Sequence, residues 1–428
     1  MKLKLLPVAL LAMTSFAFAQ QKGSFWKTST NKNVPLLESR MQLPEKNLLD
    51  LDVDAMKATL SSSPKRDLSS KSAVIVSLPN ADGEMEQFRI YENSNMDPAL
   101  AARYPEIKSY IGIGINNPSL TAYFSMSPLG FKSMVLGADK QAVFIEPFSQ
   151  DLKTYSIYRK ADKQAAFTKF ECSVVDNVTS SMDFNVARNA NDATLRTFRL
   201  AVSTTGEYTA YFGGTKAQAL AAINATMTRV NGVFEKDFAV RMVLIANNDA
   251  VIYTDAATDP YTTSYNSQLQ TTLTNVIGSA NYDVGHLFVR AGNNGNAGCI
   301  GCVCDAAKGS AFTSSTIPTG DLFDIDYVAH ELGHQFGANH TFSMSNEGTG
   351  VNMEPGSGST IMGYAGITSQ DVQPNSDAYF HAASIQQVTN NVKNKTCQVN
   401  TPTGNAVPTA NDYYDNSKIK LIIFSLFF

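Results

Sequence analysis

Three of the five histidines in the chain fall within eleven residues, from His330 to His340, in the pattern H-E-x-x-H-x-x-G-x-x-H. Positions four apart lie on one face of an α-helix, so His330 and His334 can direct both imidazoles at one point. Gly337 can adopt the left-handed conformation that ends a helix, and the turn would bring His340 to the same point. We therefore expect a helix and a sharp turn that gather three imidazoles around one metal ion.

The three imidazoles predict a catalytic zinc site. Three neutral histidine ligands leave the fourth tetrahedral position to water, whereas structural zinc sites are closed by four protein ligands. Glu331 stands next to the first ligand, where its carboxylate can take a proton from zinc-bound water during attack on a carbonyl. The zinc ion lowers the pKa of that water towards ~7 and polarises the carbonyl. We expect one catalytic zinc ion with Glu331 as general base, whereas the isolated His286 and His381 are expected to be structural.

The residues around the motif predict an α/β or α+β domain. Apolar residues recur at spacings of three and four from Ile325 to Phe336, as on the buried face of a helix that Asp324 or Asp326 can cap. Strand-length apolar runs and one long periodic segment precede them. These predict strands at 198–202, 238–245 and 283–289 and a helix at 215–234. The order strand, helix, strand, strand is typical of a sheet with a helix packed on it.

Residues 1–19 predict a secretory signal peptide. Lys2 and Lys4 precede an apolar stretch, and Ala17-Phe18-Ala19 supplies the small-x-small pattern that signal peptidase cleaves, here before Gln20. A buried N-terminal helix is the alternative. Export predicts a secreted, extracellular protein in which disulfides can form. Elsewhere the strongest apolar run, at 421–428, is far shorter than the ~20 residues that span a bilayer.

Residues 20–194 predict a β-rich domain without catalytic residues. Short β-type runs alternate there with Asn, Asp, Gly and Pro clusters, which favours antiparallel strands joined by hairpins. The region contains no histidine and one cysteine, Cys172. The small, polar segment at about 185–199, interrupted by Arg188 and Arg196, is typical of a linker accessible to proteases. We therefore expect a pro-domain, a processing linker, and a catalytic domain at 197–400.

The charge balance argues against nucleic-acid binding. The chain has 34 Lys and Arg residues against 38 Asp and Glu residues, so no basic excess is available to neutralise phosphates. Hydrophobic residues make up 43% of the chain, which is enough apolar surface to bury a substantial core.

Four of the five cysteines follow the β-rich region. Cys299, Cys302, Cys304 and Cys397 suffice for two disulfides, with three possible pairings between which the sequence does not decide. A C-x-x-C-x-C zinc knuckle is the alternative, which would need a fourth ligand and a reducing compartment. Residues 309–315, just before the metal helix, are candidates for the edge strand on which a peptide substrate would lie.

A methionine-containing turn, Ser359-Thr360-Ile361-Met362-Gly363-Tyr364, follows the histidine motif. Together the two segments resemble the metzincin metallopeptidases. The stretch from about 197 to 399 most resembles the bacterial reprolysin-like (adamalysin-type) secreted proteases, with Thr205-Gly206-Glu207-Tyr208-Thr209 near its start. The resemblance implies an α/β (α+β) catalytic domain with a twisted mixed sheet and an active-site helix. It also implies that Met362 lies beneath the zinc ligands as a hydrophobic base.

Two residues depart from the reprolysin pattern. Thr341 stands where reprolysins usually place Asp after the third histidine, and His340-Thr341-Phe342 is closer to the pappalysin pattern. Tyr364 resembles the tyrosine that astacins and serralysins use near the metal. This implies that Tyr364 ligates resting zinc or donates a hydrogen bond to the oxyanion, with a packed aromatic in the turn as the alternative. The resemblance also places Cys397, after a helix predicted at 376–392, to tie that helix back to the domain.

Cys172 suggests how the enzyme is kept inactive. If the four later cysteines pair among themselves, Cys172 is the single thiol of the preceding domain. A thiolate is a strong zinc ligand and would displace the water that Glu331 activates. Cleavage of the linker would then let the pro-domain leave and reopen the fourth position. The alternative is that Cys172 is a small buried residue of a strand.

The sequence thus predicts a secreted zinc endopeptidase that hydrolyses proteins or peptides and is inhibited by its own pro-domain until it is processed. One alternative is a non-catalytic secreted adhesin or binding module that keeps zinc for structure, and another is a zinc hydrolase of a non-peptide amide. Glu331 beside an open fourth position favours catalysis. Residues 401–428 are expected to form a linker and tail, from a truncated reading frame or as a short docking strand.

Overall fold

The computed structural model describes residues 25–30, 35, 43–66, 71–138, 141–163, 170–174 and 192–404. The predicted signal peptide, the predicted linker as far as residue 191, and residues 405–428 of the predicted tail lie outside the described residues. Among the helices that the structure describes, none has both the length and the apolar character needed to cross a bilayer.

The N-terminal region is β-rich, as predicted. It forms one antiparallel sheet of nine strands in the order β1-β2-β9-β8-β7-β6-β5-β4-β3. The strands are β1 (Trp26–Thr28), β2 (Leu48–Leu51), β3 (Ile75–Pro79), β4 (Met85–Glu92), β5 (Lys108–Gly114), β6 (Thr121–Ser127), β7 (Gly130–Leu136), β8 (Val143–Pro147) and β9 (Thr154–Arg159). Two short helices, α1 (Val53–Leu60) and α2 (Pro98–Arg103), accompany them. Residues 43–66 contain both β2 and α1.

The C-terminal region is a mixed α/β domain, as predicted. Its sheet has the order β10-β14-β15-β13-β11-β12, and β16 pairs with β11. The strands are β10 (Glu171–Cys172), β11 (Thr194–Thr204), β12 (Val240–Leu244), β13 (Val284–Val289), β14 (Asn294–Asn296), β15 (Ala311–Ser314) and β16 (Val399–Pro402). The helices are α3 (Gly206–Tyr211), α4 (Lys216–Phe238), α5 (Tyr265–Thr272), α6 (Ala329–Phe336) and α7 (Ala382–Lys393). All neighbouring pairs are parallel except β14 with β15 and β16 with β11.

Two predicted boundaries are corrected by these elements. Residues 194–199 are not part of a linker, because β11 begins at Thr194 and Arg196 is buried there beside β12. The C-terminal helix begins at Ala382 instead of residue 376. His381 precedes it, and its Nδ1 accepts a hydrogen bond from the Ala383 amide at 3.1 Å, which gives this histidine a structural role as a helix cap.

Helix α4 joins the two regions. It begins after Thr215, whose hydroxyl accepts a hydrogen bond from the Gln218 amide, and ends at Ala239 in the left-handed conformation. Gly232 on this helix faces the N-terminal sheet so closely that an added Cβ would lie 2.8 Å from the Met134 side chain. The N-terminal sheet and the C-terminal domain consequently share one hydrophobic core, with α4 inside it.

A buried ionic network crosses the same boundary. Arg229 of α4 donates to Glu146 of β8 at 2.5 Å and to Asp324 at 2.9 Å, and its side chain is 1% exposed. Lys132 of β7 lies 3.7 Å from the other oxygen of Glu146. Burial alone would lower the pKa of Arg229, but the two carboxylates raise it above its ordinary value. The guanidinium therefore stays charged and links the sheet to the segment that precedes the metal helix.

The start of the metal helix differs from its prediction. A π-helical turn, Leu322–Val328, runs directly into α6. Asp324 does not cap the helix, because its carboxylate binds Arg229 and accepts from the Thr226 hydroxyl at 2.7 Å. Asp326 does not cap it either, because its carboxylate pairs with Lys160 of the N-terminal region and accepts from the Ser376 amide. Both aspartates instead hold the helix start against neighbouring elements.

We expect Glu146→Ala to destabilise the protein strongly. The change leaves the buried Lys132 and Arg229 short of a carboxylate, and breaking a buried pair costs about 3–5 kcal/mol. The matched control is Glu92→Ala on the same sheet, because Glu92 pairs with a partly exposed Lys108 and its loss costs at most ~1 kcal/mol. Urea unfolding followed by circular dichroism gives both free energies of unfolding. Equal losses in the two variants would contradict the role of the network.

Candidate active site

Four potential metal ligands converge at the end of α6. One ligand atom from each of Cys172, His330, His334 and His340 lies within 4.8 Å of every other. His330 and His334 stand one turn apart on α6. Gly337 follows the helix with φ +119°, and its amide donates to the His334 carbonyl at 2.9 Å. This left-handed residue turns the chain so that His340 approaches from outside the helix.

Each imidazole is oriented by a partner at its Nδ1 atom. The Nδ1 of His330 lies 2.7 Å from the Ile361 carbonyl oxygen, and that of His334 lies 2.7 Å from the Ala338 carbonyl oxygen. Carbonyl oxygens only accept, so both Nδ1 atoms carry the proton and both Nε2 atoms are left as ligands.

The third imidazole is oriented by a side chain. The Nδ1 of His340 lies 3.2 Å from a carboxylate oxygen of Glu347, which likewise assigns its proton to Nδ1. Glu347 was missed by the sequence reasoning because it lies on a loop and belongs to no motif.

The arrangement of nitrogens fits a metal ion. The Nε2 atoms of His334 and His340 lie 3.1 Å apart, although their Nδ1 partners leave both as lone pairs. Two lone pairs facing each other repel, and a cation bound by both removes the repulsion. Imidazole nitrogen and thiolate sulfur are the ligand types that zinc prefers. The residues present therefore suit zinc.

Glu331 is fully buried beside this group. Among the described residues neither of its carboxylate oxygens makes a hydrogen bond of normal geometry, although the Cys172 thiol and the Ala297 amide are close. Burial raises the pKa of the Glu331 carboxyl to about 8. An added Cβ on Gly295 of β14 would lie 2.3 Å from a Glu331 oxygen, so a larger residue there would displace the Glu331 side chain. Burying a carboxylate is costly, and carboxylates whose pKa is strongly raised by burial are concentrated at functional sites.

The methionine turn lies against the metal helix. Met362 is fully buried, and an added Cβ on Gly333 of α6 would lie 2.7 Å from its sulfur. The Thr341 amide donates to the Met362 carbonyl at 3.1 Å, which attaches the segment after the third histidine to this turn. The hydroxyl of Tyr364 lies 3.1 Å from His340 Nε2, and burial raises the pKa of this tyrosine well above its ordinary value. Tyr364 therefore has its polar end at the group of ligands.

The comparisons with known proteins agree with this geometry. A family model described as metallo-peptidase family M12B, reprolysin-like, matches residues 194–392. This domain is a reprolysin-like metallopeptidase of the metzincin type. No curated protein matches the chain significantly. A solved structure described as "Structure of a chaperone-substrate complex" matches 60% of this chain at 10% identity with a TM-score of 0.28, which establishes no shared fold. The match covers 43% of that solved chain.

Cys172 lies at the metallopeptidase site although it precedes residues 194–392 in the sequence. Its sulfur lies 3.7 Å from His334 Nε2. The two-residue strand β10 that carries it runs parallel to β14, with Cys172 opposite Gly295. The Ser173 amide donates to the Gly295 carbonyl at 3.0 Å, which holds the segment in place. Burial, with a smaller contribution from the charge of Glu331, raises the pKa of the Cys172 thiol to about 11 in the absence of a metal.

The edge of the metallopeptidase sheet lies one strand further out than predicted. Residues 311–314 form β15, which is interior because β13 and β14 flank it. The prediction that residues 309–315 form the edge is therefore wrong. The edge of the metallopeptidase sheet is the antiparallel strand β14, whose Asn-Gly-Asn sequence gives no β-type signal. In this structure β10 pairs with it.

The four later cysteines form two disulfides, Cys299–Cys302 and Cys304–Cys397. This settles the pairing that the sequence left open and removes the zinc-knuckle alternative. The second disulfide joins the segment after α7 to the loop before β15. His286 takes the structural role expected of it, because it is fully buried between the Gln335 and Thr313 side chains and burial lowers its pKa to about 4.

We expect the two disulfides to differ in their effect on stability. Replacing Cys304 and Cys397 by serine opens a loop with a sequence separation of 93, whereas replacing Cys299 and Cys302 opens one of 3. Loop entropy then predicts a loss of about 4–5 kcal/mol for the first pair and about 2 kcal/mol for the second. Thermal and denaturant unfolding of both double variants measures the difference. A larger loss for the Cys299 and Cys302 variant would contradict it.

Proposed function

We propose that this zinc metallopeptidase is a secreted endopeptidase made as a latent proenzyme, with Glu331 as its general base. The observation that carries the proposal is the place of Glu331, buried beside the converging imidazoles and not one of the ligand group. A carboxylate there is free to transfer protons during hydrolysis. Two disulfides support secretion, because such bonds persist in oxidising compartments.

The proposed mechanism divides the work between the metal and the chain. His330, His334 and His340 would hold zinc, which as a Lewis acid polarises a carbonyl and acidifies water. Glu331 accepts the proton of the attacking water and delivers it to the leaving amine. Tyr364, with its hydroxyl 3.1 Å from His340 Nε2, donates a hydrogen bond to the oxyanion that develops on the substrate. Met362 supports the floor of the site through its contact with α6.

The substrate site proposed here is the edge of the sheet at β14. An extended peptide can add to an exposed strand edge through backbone hydrogen bonds. β14 passes close to Glu331 at its middle residue, Gly295. A peptide paired with β14 would thus pass over the ligand group with a carbonyl near the general base.

Latency in this proposal has two parts, both supplied by residues 171–173. The backbone of β10 occupies the edge where a substrate would pair. The Cys172 thiol, 3.7 Å from His334 Nε2, would as a thiolate supply a fourth ligand to a bound zinc ion and would exclude water from that position. The alternative for Cys172, a small buried strand residue, does not explain why its sulfur lies among three imidazoles. Cleavage between about 185 and 193, before β11 begins, would break the covalent connection to the catalytic domain, after which the segment could leave the site.

We expect Glu331→Gln to retain zinc and lose turnover. The substitution keeps the side-chain size and all three histidines but removes the proton acceptor, so hydrolysis of casein should fall at least ~100-fold. Zinc content by atomic absorption and casein hydrolysis with and without o-phenanthroline are the measurements. Glu106→Gln, at an exposed carboxylate, is the control and should change neither. Loss of zinc in the Glu331 variant, or substantial residual proteolysis, would remove the general-base assignment.

We expect uncleaved Cys172→Ser protein to hydrolyse a short peptide that the uncleaved parent leaves intact. Serine binds zinc far more weakly than thiolate, so the fourth position opens to water. Ser173→Ala is the matched control, because it changes the adjacent residue of the same segment and leaves the thiol in place. A fluorogenic peptide assay on the uncleaved proteins makes the comparison. If the Cys172 and Ser173 variants are equally silent, coverage of the edge by β10 alone causes latency and the thiol proposal is wrong.

A further inference from the structure

The third zinc ligand differs from the first two in what holds it. His330 and His334 lie on a helix, and their Nδ1 atoms face backbone carbonyls at 2.7 Å. His340 lies outside any helix, on the chain that leaves α6 after Gly337. An imidazole on irregular backbone needs other groups to fix its direction, because its own segment has no repeating hydrogen bonds to do so.

One such group is the carboxylate of Glu347. Its Oε1 lies 3.2 Å from His340 Nδ1, and its Oε2 accepts from the Asn352 side chain at 3.3 Å. The Glu347 amide in turn donates to Asn352 Oδ1 at 3.2 Å. Asn352 also donates to the Phe342 carbonyl at 2.9 Å, so the loop is folded back on the segment that follows the ligand. Glu347 is thereby held in place to orient the imidazole.

The second group is Glu354, which is 6% exposed. Its Oε2 accepts from the hydroxyls of Thr341 and Thr360, the latter at 2.6 Å. Its Oε1 accepts from the Ser359 amide at 2.9 Å and from the Thr360 amide at 3.0 Å. Thr341 directly follows His340, and Thr360 lies two residues before Met362. One buried carboxylate therefore joins the backbone after the third ligand to the turn beneath the site.

We propose that Glu347 and Glu354 are positioning residues for His340. Glu347 fixes the direction of the imidazole through Nδ1, and Glu354 fixes the backbone that carries it through Thr341. The proposal rests on His340 being a zinc ligand, as in the proposed function. A carboxylate hydrogen-bonded to a ligating histidine also raises the basicity of the nitrogen that binds the metal. Loss of either residue should thus weaken zinc binding before it weakens the fold.

The test measures zinc affinity of the full chain by competition with a chromophoric chelator. We expect Glu347→Ala to weaken zinc binding about 10–100-fold, as is typical for partners of ligating histidines. Glu347→Gln should recover part of that loss, because its amide oxygen can still accept from His340 Nδ1 although the charge is gone. Ser345→Ala, at an exposed position of the same loop, is the control and should leave the affinity unchanged.

Further measurements separate positioning of His340 from folding of the chain. The melting temperature of the metal-free protein should be unchanged in the Glu347 variants, and the visible spectrum of the Co²⁺-loaded protein should shift, because it reports ligand geometry. Glu354→Gln should also weaken zinc binding, and the Glu347 pair decides the proposal if that buried variant fails to fold. His340→Ala separates the ligand role of His340 from the positioning role of Glu347. If it leaves zinc affinity intact, the ligand assignment fails, whereas if it abolishes binding and Glu347→Ala does not weaken it, positioning by Glu347 is wrong.

Discussion

The segments around the candidate metal site are arranged so that two imidazole nitrogens come close together. His334 Nε2 and His340 Nε2 lie 3.1 Å apart, and both Nδ1 protons are already given to oxygen acceptors. A cation bound by both nitrogens would remove the repulsion between their lone pairs, and the folded chain already holds the two imidazoles close enough to share one ion. The glycine turn after α6, the methionine turn beneath it and the loop that carries Glu347 all serve to bring these nitrogens together. Zinc binding and correct folding of this segment are consequently linked.

The N-terminal sheet belongs to the same physical unit. Its core is continuous with that of the metallopeptidase domain, and Arg229 joins Glu146 of the sheet to Asp324 beside the metal helix. In the proposed proenzyme, the Arg229 ion pairs hold the start of the metal helix against the N-terminal sheet. At the same time β10 pairs with β14, the strand edge proposed to bind substrate. A domain held by buried charges and a shared core does not separate easily when one connection is cut. In the proposed proenzyme, release of the N-terminal region would expose apolar surface and unpaired charge.

The sequence predicted the residues of the candidate site more accurately than the tertiary contacts around them. The spacing of His330, His334 and His340 dictates their convergence through helix geometry alone, and the apolar runs predicted most strands of both regions. By contrast, Asp324 and Asp326 were expected to cap a helix and instead pair with Arg229 and Lys160 across tertiary contacts. Local pattern does not contain such partners, because they lie more than ninety residues away along the chain.

Other parts of the structure were missed for related physical reasons. β14 has three residues and the sequence Asn-Gly-Asn, which has low intrinsic β-propensity. It forms a strand because it pairs with its neighbours β10 and β15. Glu347 and Glu354 belong to a loop whose hydrogen bonds depend on how it folds back on itself. The cysteine pairing was likewise undecided in the sequence, since three pairings satisfy the same count. Only the folded chain brings Cys304 and Cys397 together.

In the proposed uncleaved proenzyme, three histidines and Cys172 surround one zinc ion. Zinc-edge X-ray absorption of the zinc-loaded full-length protein tests it most directly, because sulfur and nitrogen neighbours scatter differently. We expect one sulfur and three nitrogen neighbours before processing, and only nitrogen and oxygen neighbours once the N-terminal segment has been removed. A zinc site without a sulfur neighbour in the uncleaved protein would contradict it.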